Sequence, residues 1–293
     1  MFEGIFTALV TPFRPDGDAG VDESALRALV EHQIEAGVDG LVPCGSTGES
    51  ATLSHAEHCR VVEVVVEAAA GRVAVVAGTG SNNTREAVEL TLHAKTAGAD
   101  GALLISPYYN KPTQQGIVEH FAAIARETSF PLLPYNIPGR TASNILPETL
   151  ARLADLDHVV GVKEACGDIE QIFHAIALCR SDFSFLSGDD AMTLPLLAMG
   201  GAGVISTSSN VAPELVKAMV DSARAGDFAR ARELHYRLLP LFDALFCETN
   251  PIPLKTAVAM QGHGDAGLRL PLTPLTDANR ERLQLVMKEL ELL

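Results

Sequence analysis

The sequence is poor in several things that would have narrowed its function quickly. Its 293 residues hold only five cysteines, Cys44, Cys59, Cys166, Cys179 and Cys247, odd in number, scattered and without CxxC spacing. That pattern excludes a disulfide framework or a thiolate zinc site and predicts reduced thiols. No apolar run approaches the ~18 residues of a membrane span, because Glu63 and Glu67 interrupt the longest Val-rich region. Met1 to Thr11 has no basic n-region and leads straight into Pro12, so no signal peptide is read there. A soluble, cytoplasmic protein is expected, with no membrane partner.

Positive charge is also scarce. Lys and Arg total 22 against 37 Asp and Glu, a net charge of −15. Such a field repels nucleic-acid backbones and anionic membrane surfaces, so no nucleic-acid partner is expected. It also repels small anions, so a carboxylate site must concentrate N–H donors or an arginine. Composition is otherwise globular, 47% hydrophobic and 20% charged.

What is present is a repeat. Short apolar runs begin near Gly4, Gly40, Val73, Gly101, Leu132, Val159, Phe183 and Gly203. Segments of helical period lie between them, at 22–36, 54–70, 84–97, 114–127, 147–154, 168–179 and 189–199. Ala36-Gly37-Val38-Asp39-Gly40 is echoed by Ala97-Gly98-Ala99-Asp100-Gly101, each closing a helix on glycine and opening a strand. Near-continuous apolar strands suit a parallel sheet covered on both faces, and eight such units fit a (β/α)8 TIM barrel. The rival doubly wound sheet normally shows a Gly-rich fingerprint after its first strand, where Val10-Thr11-Pro12-Phe13 stands here. We therefore expect a barrel over residues 1–210 carrying the active site. A helical extension over 211–293, with helices near 212–225, 227–246, 253–260 and 276–290, is expected to pack on it.

An active site in such a barrel sits at the C-terminal strand ends. Lys163 closes the apolar run Val159–Val162, where desolvation favours the neutral, nucleophilic amine. With a ketone that amine gives a Schiff base, an electron sink for a neighbouring carbanion. A lysine that merely snorkels out of the strand end is the plainer alternative. Lys95, Lys217 and Lys288 fall in amphipathic helices and Lys111 in a Pro-flanked loop; only Lys255, in Pro-Leu-Lys-Thr-Ala-Val, shares an apolar setting.

Gly45-Ser46-Thr47-Gly48-Glu49-Ser50 follows the second strand and offers converging N–H groups and two hydroxyls, fit for a carboxylate or for an ordinary flexible turn. The absence of a following Gly-Lys-Ser/Thr argues against a phosphate loop. Tyr108, Tyr109 and Tyr135, three of only four tyrosines, lie at strand ends and supply hydroxyls for a relay, or cores with wet tips. Arg140, in the turn after the fifth strand, offers a fork for a second carboxylate. Cys44 lacks an assigned histidine partner and reads as a buried strand-end thiol. His55 and His58 share a helix face at i, i+3 with no third ligand, so no metal site is expected.

Taken together, Gly-Ser-Thr-Gly-Glu at 45–49, Pro-Tyr-Tyr-Asn-Lys-Pro at 107–112, Tyr-Asn-Ile-Pro-Gly-Arg-Thr at 135–141 and Val-Lys-Glu-Ala at 162–165 resemble the pyruvate-dependent lysine aldolases. This is the family of dihydrodipicolinate synthase and N-acetylneuraminate lyase. Order and spacing hold over almost the whole chain, through Ser187-Gly188-Asp189-Asp190, Gly203-Val204-Ile205-Ser206 and Asn250-Pro251-Ile252-Pro253. The resemblance implies a Schiff base between Lys163 and pyruvate, a proton relay through Tyr135, Ser46 and Tyr109, and pyruvate held by Thr47 and by backbone near Gly188 and Ile205.

Arg140 is the residue that resembles the synthase branch, where it receives the carboxylate of L-aspartate 4-semialdehyde for diaminopimelate and lysine biosynthesis. Neuraminate lyases generally lack it. Ser46 departs from the synthase pattern, which commonly carries threonine there. N-acetylneuraminate cleavage, 2-keto-3-deoxy-sugar-acid aldol chemistry and a keto-acid-binding sensor barrel are the alternatives. The resemblance further implies no metal or organic cofactor, a homotetramer built as a dimer of dimers in which the residue at Tyr109 reaches a neighbouring site, and an L-lysine effector site at Ser50, Ala51, His55, His58, Asn82, Glu86 and Tyr108.

Overall fold

The computed structural model describes residues 2–15 and 20–293. Eight strands alternate with helices: β1 (Gly4–Ala8), α1 (Glu23–Glu35), β2 (Gly40–Val42), α2 (His55–Ala69), β3 (Ala74–Gly78), α3 (Thr84–Ala97), β4 (Gly101–Ile105), α4 (Gln114–Thr128) and β5 (Leu132–Asn136). There follow α5 (Pro138–Thr141), α6 (Pro147–Ala154), β6 (Gly161–Glu164), α7 (Ile169–Leu178), β7 (Ser184–Ser187), α8 (Thr193–Ala198), β8 (Gly203–Ser206), α9 (Pro213–Arg224), α10 (Phe228–Leu245), α11 (Ile252–Met260) and α12 (Asp277–Glu289). All eight strands pair in parallel, in sequence order, and β8 returns to β1 to close the barrel.

Period-two alternation builds two core layers. Phe6, Val42, Leu103, Leu133, Leu186 and Ile205 point inward and fill the barrel. Their strand neighbours Ile5, Leu41, Leu104, Leu132 and Val204 point outward against the helices. Helix starts follow capping chemistry: Asp22, Asn83, Thr113 and Asp168 accept from first-turn amides, and Ser54 forms a reciprocal capping box with Glu57.

The eight expected strands are all present, and three begin later than read. β3 starts at Ala74, β7 at Ser184 and β6 at Gly161, Val159 making only an isolated bridge to Leu132. The helix expected over 189–199 shortens to α8, because the Asp190 carboxylate is engaged by Ser206, Thr207 and Ser208 at the end of β8. The four-residue α5 was not anticipated; a segment opening Pro-Gly reads as a turn.

The division after residue 210 assigned α9 to the extension. In the structure α9 packs on β1 and α8 and, most extensively, on α10, so it joins the barrel wall to the helices that follow. Leu234, Leu238, Leu241, Leu254, Leu283 and Met287 join the same continuous core as the barrel helices. No helix among the described residues is long and apolar enough to cross a membrane.

Candidate active site

In β6, Val162 faces the helix layer, so alternation turns Lys163 into the barrel mouth. Its side chain is 6% exposed, and burial pushes the ammonium pKa down from 10.5 to about 8, with Asp190 pulling upward and Arg140 adding to the fall. No hydrogen bond or ion pair is made by Nζ among the described residues; it lies 4.3 Å from the ring centroid of Tyr135, its register partner on β5. Tyr135 is itself buried, and desolvation raises its phenol pKa well above the ordinary value. Gly188, just after β7, makes room for this lysine: a Cβ there would lie 2.8 Å from Lys163 Cε and 2.9 Å from the Ala165 Cβ.

The turn after β2 is tightly folded. Gly48 and Glu49 amides bond back to the Gly45 and Ser46 carbonyls, and Thr11 Oγ1 donates to the Gly48 carbonyl at 2.7 Å. Cys44 and Glu49 both hold left-handed backbone, φ 56° and 52°, an uncommon state for non-glycine residues that tertiary contacts must sustain. Asn250 Nδ2 donates to Thr47 Oγ1 at 3.0 Å, which leaves the threonine hydroxyl hydrogen free to donate elsewhere. The Asn250 carbonyl accepts from Arg140 Nη2 at 3.1 Å, while its buried Oδ1 has no partner. One asparagine from the extension thereby joins Thr47 to Arg140.

Around these groups lies an inner cavity lined by Ser46, Thr47, Tyr135, Arg140, Lys163, Gly188, Thr207, Phe246 and Asn250. It is contiguous through Ser46, Tyr135, Arg140 and Asn250 with an outer cavity of about 300 Å³ that also borders Tyr108. An unpaired amine of lowered pKa, hydroxyls beside it and a guanidinium at the rim suit condensation with a keto acid followed by capture of a second carboxylate.

Lys163, Tyr135, Ser46, Thr47, Gly188 and Arg140 are thus brought together. One expected residue lies apart from them. Tyr109 is 90% exposed on its own chain and lines neither cavity. The Ile205 side chain packs in the apolar barrel core, which leaves its expected role to its backbone, and Thr207, two residues on, lines the inner cavity. Lys255, the rival amine, is spent: its Nζ bonds the buried Glu49 carboxylate at 2.7 Å. Burial drives the Cys44 thiol pKa far up, against nucleophilic use. Among the described residues no group of three or more His, Cys, Asp or Glu is arranged to hold a metal ion. Sequence reading missed Asn250, Thr207 and Phe246. Only the Asn-Pro-Ile-Pro punctuation hinted at the first.

Ser50, Ala51, His55, His58, Glu86 and Tyr108 line a further cavity of about 200 Å³, which shares Cys44, Ser50, Ala51, Gly78, Gly80 and Tyr108 with the outer cavity. Asn82 lies at its margin, donating to the Tyr108 carbonyl at 3.1 Å. Glu86 accepts from Ser81 Oγ and from His55 Nε2, and both, the serine more, hold its carboxyl below the usual range. Burial lowers the pKa of His58, whose Nε2 donates to the Gly78 carbonyl.

Residues 1–290 match the family model described as Dihydrodipicolinate synthetase family. A 4-hydroxy-tetrahydrodipicolinate synthase of Nitratidesulfovibrio vulgaris strain DP4 is 57% identical over 284 residues, 97% of this chain and 96% of that one. The crystal structure of dihydrodipicolinate synthase from Aquifex aeolicus superposes with a TM-score of 0.97 at 47% identity, covering 99% of each chain. That of DHDPS from Cyanidioschyzon merolae with lysine bound gives 0.96 at 42%, covering 100% of this chain and 99% of that one.

Proposed function

The chain belongs to the dihydrodipicolinate synthetase family, and from that premise we propose that Lys163 carries its reaction. The reaction is that of a 4-hydroxy-tetrahydrodipicolinate synthase, a lyase-type enzyme of lysine and diaminopimelate biosynthesis that condenses pyruvate with L-aspartate 4-semialdehyde through a Schiff base. The observation that carries the assignment to Lys163 is that, among the described residues, its amine meets only the Tyr135 ring, in a cavity that holds its pKa near 8.

Neutral Nζ attacks the pyruvate keto carbon and water leaves, forming the imine. Loss of a methyl proton gives the enamine, whose carbon attacks the semialdehyde aldehyde. The substrate's amine then attacks the imine carbon, closing the ring and expelling Lys163. Tyr135 and Ser46 pass the protons, Thr47 and the backbone near Gly188 and Ile205 hold pyruvate, and Arg140 receives the second carboxylate; that Tyr135, Ser46, Thr47, Gly188 and Arg140 line one cavity with Lys163 supports these roles. The relay tolerates serine in place of threonine at 46, since only the hydroxyl is used.

Three finer readings accompany this one. The exposure of Tyr109 supports a homotetramer in which it completes a neighbour's relay. The cavity at His55, Glu86 and Tyr108 supports an L-lysine effector site, and a relative with lysine bound shares the fold. The five unpaired cysteines support a cytoplasmic setting. A coupled assay offering pyruvate with aspartate semialdehyde, or with N-acetylmannosamine, tests the assignment; turnover of the second alone overturns it.

A further inference from the structure

The geometry points to Glu49 and Lys255 as positioning residues of the site, a buried ion pair that holds the Ser46–Thr47 turn against the C-terminal extension. This inference rests on the reading that Lys163 condenses with pyruvate in the cavity which that turn lines.

Both side chains are almost wholly buried, 1% exposed for Lys255 and 0% for Glu49, and 206 positions apart in sequence. Lys255 Nζ donates to Glu49 Oε1 at 2.7 Å and lies 3.9 Å from the Phe13 ring centroid. The second oxygen, Oε2, accepts the Arg269 amide at 3.2 Å. The Arg269 guanidinium also faces Phe13 and donates to the Thr52 carbonyl and to Glu57, so the strap reaches the cap of α2 as well. Burial alone is a poor reason to keep such a pair, because two apolar residues of similar volume would serve stability as well or better.

What the pair does geometrically is specific. Glu49 is the last residue of the turn, its φ of 52° is unfavourable for a side chain of its type, and its carboxylate is the anchor opposite that strain. Two and three positions earlier stand Thr47 and Ser46, whose hydroxyls line the Lys163 cavity. Lys255 belongs to the first turns of α11, five residues beyond Asn250, which bonds Thr47 Oγ1. The turn is therefore gripped twice by one short segment, once at the hydroxyl and once at the carboxylate. Release of the carboxylate grip lets the hydroxyls drift, and displacements near 1 Å are costly at a reacting centre.

The test uses Glu49→Gln and, because that change strands a buried ammonium, the double variant Glu49→Gln with Lys255→Met, which leaves no unpaired charge. Expected of the double variant is native thermal unfolding, a KM for pyruvate raised about tenfold, and a rate of borohydride-trapped pyruvate adduct lowered to match. KM for aspartate semialdehyde, bound at Arg140, should move by less than about twofold. A merely structural pair would lower the folded fraction and leave both KM values alone. Native KM values and trapping rate in the double variant overturn the inference. Failure of the native protein to trap pyruvate at all would instead overturn the reading of Lys163 on which it rests.

Discussion

Lys163 and Tyr135 are directly opposite one another on adjacent strands, and the amine sits over the phenol ring rather than beside its hydroxyl, 4.3 Å from the centroid. The lysine is thereby enclosed without being paired, in contrast with Lys255 and its carboxylate. Incubation with pyruvate and borohydride, followed by peptide mass spectrometry, is expected to mark Lys163 alone. A label on Lys255, or none, would refute the covalent role.

The lowered pKa of Lys163 has consequences for both rate and stability. Pyruvate-imine formation should rise as pH climbs through about 8, where the amine becomes neutral, and level off above it. Between about 8 and 10.5 the unfolded chain binds the proton that the folded chain has lost, so stability from this group also rises with pH across that window. Lys163→Met, which removes the buried ammonium, should gain up to roughly 3 kcal/mol at pH 7 while losing trapping. Thermal unfolding of both proteins from pH 7 to 10 checks this, since the gap should close toward the alkaline end.

Gly188→Ala crowds the lysine where it now has clearance. The new methyl would meet Lys163 Cε at 2.8 Å and Cγ at 3.0 Å, which can swing away, and the Ala165 Cβ at 2.9 Å, which can give only by a shift of the backbone after β6 or β7. The protein should be destabilised by about 1–3 kcal/mol, with the fold retained, while trapping slows markedly. Unaltered trapping would show that the amine needs no such clearance.

Arg140 is exposed and spends one nitrogen on the Asn250 carbonyl, leaving the rest of its fork free. Arg140→Ala should cut kcat/KM for aspartate semialdehyde by about 30-fold, roughly 2 kcal/mol, the lower part of the range for a charge pair in a solvated rim. Pyruvate adduct formation should persist. Equal loss of both would make Arg140 a support of the Schiff-base pocket instead.

Initial rates titrated with L-lysine, on the native protein and on Glu86→Ala, test the cavity at His55 and Glu86. Inhibition at millimolar lysine that is lost in the variant supports the effector site. Indifference of the native enzyme removes it.

Much of this was readable from local pattern. Strand alternation and helix caps act over a few residues, so the eight units and the inward placement of Lys163 follow from Val159–Lys163 and its like. Asn250 and the Glu49–Lys255 pair were illegible for the converse reason. Their partners lie 203 and 206 positions away, and an asparagine beside a proline or a lysine in an apolar helix announces no partner. Thr207 was missed because the inward-pointing side chain at the end of β8 lies below the mouth, and the loop beyond the strand supplies the wall. Tyr109 sits at φ 70° in the loop after β4, a conformation that no periodicity encodes.

The closing seam of the barrel, where Gly4 lies in register with Gly203, also bears on how the chain reaches its native state. A Cβ on Gly203 would come within 1.9 Å of the Gly4 carbonyl oxygen, so the seam depends on bare backbone meeting bare backbone across nearly two hundred residues. Such a contact forms only after a large loop-closure cost has been met, and until then β1 keeps one edge unpaired. On a growing chain the first strand made is consequently the last to be fully paired, and that open edge is where a stalled or crowded nascent chain would seek a partner.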